Sequence, residues 1–130
     1  MRLWVTSRKA GLARNLIAPA WEARLPLLAA ATEVGDGKLP ESQAGLSLSR
    51  PGILVTAFGS NPDGVGTLLR LWEQAGESGE CSVQLPKGLA PASVQPATLR
   101  GQPIGGPIAV QNGSFKVALT AFAPATFLLP

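Results

Sequence analysis

Eight carboxylate side chains are the groups in this 130-residue chain that could perform acid–base chemistry. A suitably spaced pair is enough for glycoside hydrolysis, in which one carboxylate acts as acid and the other as base or nucleophile. Most of the eight lie in polar turns, where a solvated charge is the ordinary role. Glu73 differs because it ends an apolar run beside Trp72, and such surroundings can perturb its pKa or hold it in a salt bridge. A two-carboxylate enzyme therefore stays an alternative, but we expect no catalytic residues.

The residue types that are missing exclude other chemistry. The chain contains no histidine, no tyrosine and one cysteine. Catalysis by Ser-His-Asp or Cys-His therefore cannot be assembled, and neither can zinc sites built on histidine or on four cysteines. Cys81 has no intrachain disulfide partner, and it begins the alternating run Cys81-Ser-Val-Gln-Leu85. This pattern predicts a small buried hydrophobic side chain.

The segment Gly59-Ser-Asn-Pro-Asp-Gly-Val-Gly66 is rich in glycine but lacks the Lys-Ser/Thr ending of a phosphate-binding loop. Asn61 and Asp63 could offer oxygen ligands to calcium, although one carboxylate is few for such a site. The residue types favour a tight turn instead, with Pro62 fixing φ, Asp63 bonding its own backbone and Gly64 accepting a positive φ. We expect no metal and no cofactor.

Composition predicts one soluble globular domain. Apolar residues make up 45% of the chain and charged residues 15%, with no apolar run of bilayer length. The net charge of +3 comes from scattered basic residues, so neither nucleic acid nor a membrane is an expected partner. The first nine residues do not resemble a secretory signal because Ser7, Arg8 and Lys9 interrupt the apolar stretch, and the localisation stays open.

Two strand-like runs, residues 53–58 and 67–72, flank the glycine-rich turn at residues 59–66. Together they predict a β-hairpin. Further short alternating segments are expected near residues 46–48, 81–85, 97–100, 108–110, 115–121 and 125–129. Asn112-Gly113 is a strong signal for a type I′ turn. The chain is predicted to be all-β, an antiparallel immunoglobulin-like β-sandwich of six to eight strands. Residues 20–130 would form this single domain, beginning with an extended segment at 20–31, and residues 1–19 have no clear place.

The second strand of the hairpin has an unusual outer face. If Leu69 and Leu71 point into the core, then Leu68, Arg70 and Trp72 lie on the opposite side. Arginine and tryptophan are enriched in interfaces, and a tryptophan on a sheet can also stack on a sugar ring. Three interpretations stay open: the N-terminal residues fold over this face, another protein domain covers it, or it binds a ligand. The candidate interface or carbohydrate residues are Leu68, Arg70, Trp72, Glu73, Asn61 and Asp63.

Several of these segments resemble a known family. The strand Leu-Arg-Leu-Trp-Glu-x-x-Gly at residues 69–76 and the closing Ala-Pro-Ala-Thr-Phe-Leu-Leu at residues 123–129 are similar to the C-terminal β-domain of α-mannosidase-type glycoside hydrolases of family 38. The order of elements is similar over residues 24–129, whereas residues 1–20 depart from it.

This resemblance implies a non-catalytic accessory module, since the zinc ligands and the catalytic aspartate of that family belong to an upstream domain. The implied partner is a glycosidase catalytic domain or a carbohydrate, and the implied role is structural or weakly carbohydrate-binding. The alternative is an independent immunoglobulin-like module for protein association, including assembly into a homo-oligomer.

Overall fold

The computed structural model describes residues 20–21, 24–25, 28–31 and 40–130, and the predicted N-terminal segment 1–19 lies outside the described residues. Eight strands follow in chain order. They are β1 (Ser47–Leu48), β2 (Ile53–Ser60), β3 (Thr67–Glu73), β4 (Gly79–Gln84), β5 (Ser93–Ala97), β6 (Ile108–Ala109), β7 (Ser114–Leu119) and β8 (Pro124–Leu129). None of the helices in these described ranges is long and apolar enough to cross a membrane.

The strands form two antiparallel sheets that enclose one core. One sheet has the order β1-β4-β7 and the other the order β2-β3-β8-β5-β6. Alternate residues point inward in β3 and β4, among them Leu69, Leu71, Cys81 and Val83, as the period-two pattern of the sequence predicts. Phe115 of the small sheet and Phe127 of the large one meet edge to face, with ring centroids 5.3 Å apart. The predicted all-β sandwich is confirmed.

Cys81 lies fully buried in this core as a free thiol. Its neighbours in the cluster are other inward side chains, among them Val83 of the same strand and Leu71 of the facing sheet. The sequence interpretation of Cys81 as a small buried hydrophobic residue is confirmed.

Two local predictions are wrong. Residues 97–100 do not form a strand: β5 ends at Ala97, and the next residues form a turn in which the Thr98 N–H donates to Gln102 O at 2.8 Å. The expected extended segment near residue 20 is helical instead at Ala20, Trp21 and Arg24, with the Leu25 N–H donating to Trp21 O at 2.8 Å. Alanine, glutamate, arginine and leucine between two prolines favour one helical turn over a strand.

The central hairpin forms as predicted, but its turn uses other residues. The Asn61 side chain, rather than that of Asp63, bonds the backbone, because its Oδ1 accepts the Asp63 N–H at 3.1 Å. The positive φ falls at Gly66 (90°) rather than at Gly64. The second hairpin follows the expected type I′ pattern, with positive φ at both Asn112 and Gly113.

Candidate aromatic docking surface

Three of the six candidate residues lie on the outer face of β3. Leu69 and Leu71 are fully buried, so Leu68, Arg70 and Trp72 point away from the core. The three do not share one environment. Leu68 is buried, Arg70 is half-buried, and Trp72 is 43% exposed. The face is therefore covered at one end and open at the other.

Arg70 is covered by the turn that follows β5. Its Nε donates to the hydroxyl of Thr126 on β8 at 3.2 Å, and its second guanidinium nitrogen donates to Leu99 O at 2.7 Å. The turn at residues 98–102, whose first residues the sequence predicted as part of a strand, thus covers the middle of the outer face. Arg70 therefore links β3 to β8 and to the turn after β5 by hydrogen bonds within the molecule.

Trp72 and Phe122 form the open end of the outer face, and we call this pair the aromatic end. The Trp72 indole N–H donates to Phe122 O at 3.3 Å, while Phe122 is 64% exposed. Phe122 has φ of +57°, an unusual conformation for a bulky residue. Its ring lies against Gly76, where an added β-carbon would be only 2.5 Å from Cζ. The Phe122 ring is therefore packed against Gly76 although the residue is mostly exposed to solvent.

The buried carboxylate of Glu73 holds the backbone of Gly76 and Phe122 in place. Its side chain is fully buried, at 0% exposure. Its two oxygens, Oε1 and Oε2, accept backbone N–H groups from Ala75 at 3.0 Å, Gly76 at 2.9 Å and Phe122 at 3.0 Å. Arg50 approaches Oε1 at 3.5 Å. One buried charge thus joins the turn after β3, the turn before β8 and the segment before β2.

The Glu73 environment lowers the pKa of its carboxyl group. Burial by itself raises this pKa, but the backbone N–H groups of Phe122, Gly76, Glu77 and Ala75 favour the charged form and outweigh the burial. A lowered pKa in the folded state means that unfolding takes up a proton in acid. The stabilisation is therefore complete above the pKa of the unfolded glutamate, about 4.3, and is lost as the pH falls through the folded value.

We expect this linkage to appear in pH-dependent unfolding. Urea unfolding of the wild type from pH 6 to pH 3 should show a decline in stability, and Glu73→Gln should flatten that decline because it removes the titrating group. Glu77→Gln is the matched control, since the side chain of Glu77 is 75% exposed and should leave the slope as in wild type. An equally steep decline in Glu73→Gln would contradict the assignment.

Asn61 and Asp63 lie away from the aromatic end, in the β2–β3 turn. The Asn61 N–H donates to Gly66 O at 2.9 Å and its side chain holds the Asp63 N–H, so the pair shapes the turn. No three His, Cys, Asp or Glu side chains within the described ranges gather as metal ligands. The structure thus brings Trp72 and Glu73 together with Phe122, and separates them from Asn61, Asp63 and Leu68.

Two open grooves lie elsewhere on the surface. One, of about 300 Å³, is lined by residues of β2 and β3 together with Pro62; the other, of about 540 Å³, lies beside β4, β6 and β7. Neither groove is lined by a carboxylate. Glu80, near the second groove, is paired with Lys116 at 2.8 Å. These two grooves therefore offer no acid–base pair of the kind that glycoside hydrolysis needs.

Sequence reasoning missed three members of the aromatic end and its support: Phe122, Gly76 and Arg50. Phe122 lies between the predicted strands at residues 115–121 and 125–129, and nothing in Thr-Ala-Phe-Ala-Pro signals a positive φ. Gly76 carried a usable signal, since a glycine after a strand marks a turn that needs φ above zero, and it has +79°. Compared with family models, with curated proteins and with solved structures, the chain matches none.

Proposed function

We propose that this chain is a non-catalytic accessory module that packs against another protein domain through the aromatic end. The observation that carries the proposal is the exposed pair of Trp72 and Phe122, held in place by a buried carboxylate. Ordering flexible side chains on association costs free energy, and a preorganised aromatic surface avoids much of that cost. Tryptophan is also among the residues that most often dominate the energy of an interface.

A protein surface is a better fit to the aromatic end than a sugar. Sugar recognition combines a stacked ring with hydrogen bonds to hydroxyl groups. Here the Trp72 N–H already donates to Phe122 O, and Arg70 is directed at Thr126 and Leu99 O. The indole N–H and these two guanidinium nitrogens therefore already donate to groups of the chain itself. Weak sugar stacking on Trp72 is the second candidate, supported by the exposed indole face.

The class of partner comes from the resemblance to the C-terminal β-domain of α-mannosidase-type glycosidases. On that basis we propose a glycosidase catalytic domain as the partner, with this module supporting a reaction that it does not perform. Association of two copies through the same surface is the alternative, and it would use the same residues.

The test is binding to the α-mannosidase-type catalytic domain of the same organism, produced without its own β-domain. We expect the wild-type chain to bind it, and Trp72→Ala to weaken binding by about 30-fold, equivalent to about 2 kcal/mol. Val65→Ala is the control, because Val65 is an almost fully exposed apolar residue in the hairpin turn. Isothermal titration gives the affinities.

Three results would contradict the proposal in different ways. Equal affinity for wild type and Trp72→Ala would remove the aromatic end from the interface. An organism that encodes no such catalytic domain, or a wild-type chain that fails to bind it, would exclude this class of partner. Saturable binding of mannose oligosaccharides that is lost in Trp72→Ala would favour the carbohydrate candidate instead.

A further inference from the structure

The groove of about 300 Å³ beside β2 and β3 has one charged residue in its lining, Arg70. The other lining residues are apolar or neutral: Ala57, Phe58, Gly59, Ser60, Pro62 and Leu68. Neither Trp72 nor Phe122 borders the groove, so it is separate from the aromatic end. Its volume lies at the lower end of the range that is typical of small-molecule sites. The groove therefore combines an apolar lining with a single cation.

The charge of Arg70 has no acidic partner among the described residues. The ion pairs in that part of the chain have Arg50 and Lys116 as their cations. Arg70 instead donates from Nε to Thr126 Oγ1 and from Nη2 to Leu99 O, and both acceptors are neutral. These bonds orient the guanidinium and leave Nη1 without a hydrogen bond to the described part of the chain. A half-buried positive charge with free N–H donors thus lies in the groove.

We propose that this groove binds a small monocarboxylate with an apolar body. The two oxygens of a carboxylate match the N–H groups of a guanidinium, and their attraction is stronger where apolar surroundings exclude water. The lining contains no competing carboxylate, since Asp63 follows Pro62 in the turn but does not border the groove. Phe58, which is 41% exposed, and the buried Leu68 offer contacts to the apolar body. A multiply charged anion fits less well, because the apolar lining would remove its water around one cation only.

The absence of a side chain at Gly59 keeps the groove open. Gly59 lies opposite Leu68 in the β2–β3 register, and the side chains of such a pair share one face of the sheet. Its φ is not positive, and an added β-carbon would meet nothing within 4 Å. Valine also suits a strand. Gly59→Val should therefore fold normally and fill part of the groove, while Arg70 keeps its hydrogen bonds.

An NMR titration of the full chain with phenylacetate tests the proposal, and phenylacetamide is the neutral ligand of matching shape. We expect phenylacetate to shift the amide signals of residues 57–60 and 68–70 saturably, with a Kd on the order of 1 mM for a ligand of this size. Phenylacetamide should bind about tenfold more weakly or worse, because it lacks the charge that pairs with Arg70.

Two variants test the cation and the space of the groove separately. Arg70→Gln removes the cation and Gly59→Val fills the space, and each should weaken phenylacetate binding by about tenfold or more. Lys116→Gln is the matched control, since it also removes one positive charge but lies in the other groove, and it should bind as wild type does. Unchanged β4 and β7 signals in the first two variants report an intact sandwich. If Arg70→Gln loses those signals, Gly59→Val decides alone.

Three outcomes would overturn the proposal. Equal affinity for phenylacetate and phenylacetamide would show that the groove does not recognise the charge. Binding that persists in a folded Gly59→Val variant, or that weakens as much in Lys116→Gln as in Arg70→Gln, would place the carboxylate outside this groove. A wild-type chain whose signals do not shift saturably would exclude this class of ligand.

Discussion

Replacing Glu73 with glutamine is expected to lower the free energy of unfolding by about 3 kcal/mol, because a buried charge that joins several groups is removed. Glutamine has nearly the same shape, but its NH₂ group is a donor, and the groups around the Glu73 carboxylate are also N–H donors. The N–H groups of Gly76 and Phe122 share Oε2, so at least one donor would lose its acceptor or face another donor. Arg50 would also lose its buried partner. Urea unfolding at pH 7 measures the change.

Glu77→Gln is the matched control for this prediction. Glu77 is four residues along the chain, approaches the same Arg50 only at 3.9 Å and is mostly exposed. Exposed ion pairs contribute little, so the expected change is under about 0.5 kcal/mol. If the two glutamine variants lose stability equally, the buried carboxylate is not the support of the aromatic end that we describe.

Gly66→Ala is expected to cost about 3 kcal/mol, for reasons of backbone conformation and space. Gly66 has φ of +90°, a conformation that residues with a side chain rarely adopt. An added β-carbon would also collide with the backbone oxygen of Leu129 at the end of β8. Backbone in a sheet cannot move aside as an exposed side chain can, so the hairpin and the last strand would have to separate locally.

Gly106→Ala is the control for Gly66→Ala. Gly106 has no positive φ, and an added β-carbon would meet nothing within 4 Å. Such a replacement usually changes stability by less than about 1 kcal/mol, and it can stabilise by restricting the unfolded chain. Thermal unfolding of both variants gives the comparison. A loss of similar size at Gly106 would show that the conformation of Gly66 has no special role.

The strands were predictable because their signals are local. Alternation in residues 67–73 and 114–119 places every second side chain in the core, and the Asn112-Gly113 pair fixes its turn by its own conformational preferences. The sequence of the turn after β5 predicts a strand because Ala97 and Leu99 also alternate. Its actual conformation depends on contacts with distant residues, among them the hydrogen bond from Arg70 to Leu99 O.

The candidate surface was predictable only in part. The alternation of Leu69 and Leu71 was enough to place Trp72 on the outer face, and Glu73 stood out by its apolar surroundings. Neither signal could show that Glu73 would accept N–H groups from two separate turns, because Phe122 is 49 residues away in sequence. The positive φ of Phe122 likewise depends on contacts in the folded structure, and the residues next to it in sequence do not predict it.

The most direct test of the proposed docking role is the accessibility of Trp72 itself. The chain has three tryptophans, and replacing Trp4 and Trp21 with phenylalanine leaves Trp72 as the sole indole reporter. Acrylamide quenching is then measured with and without the mannosidase-type catalytic domain. We predict that Trp72, 43% exposed in the free chain, becomes several-fold less accessible to acrylamide in the complex. A complex that forms while the quenching of Trp72 stays unchanged would contradict the account.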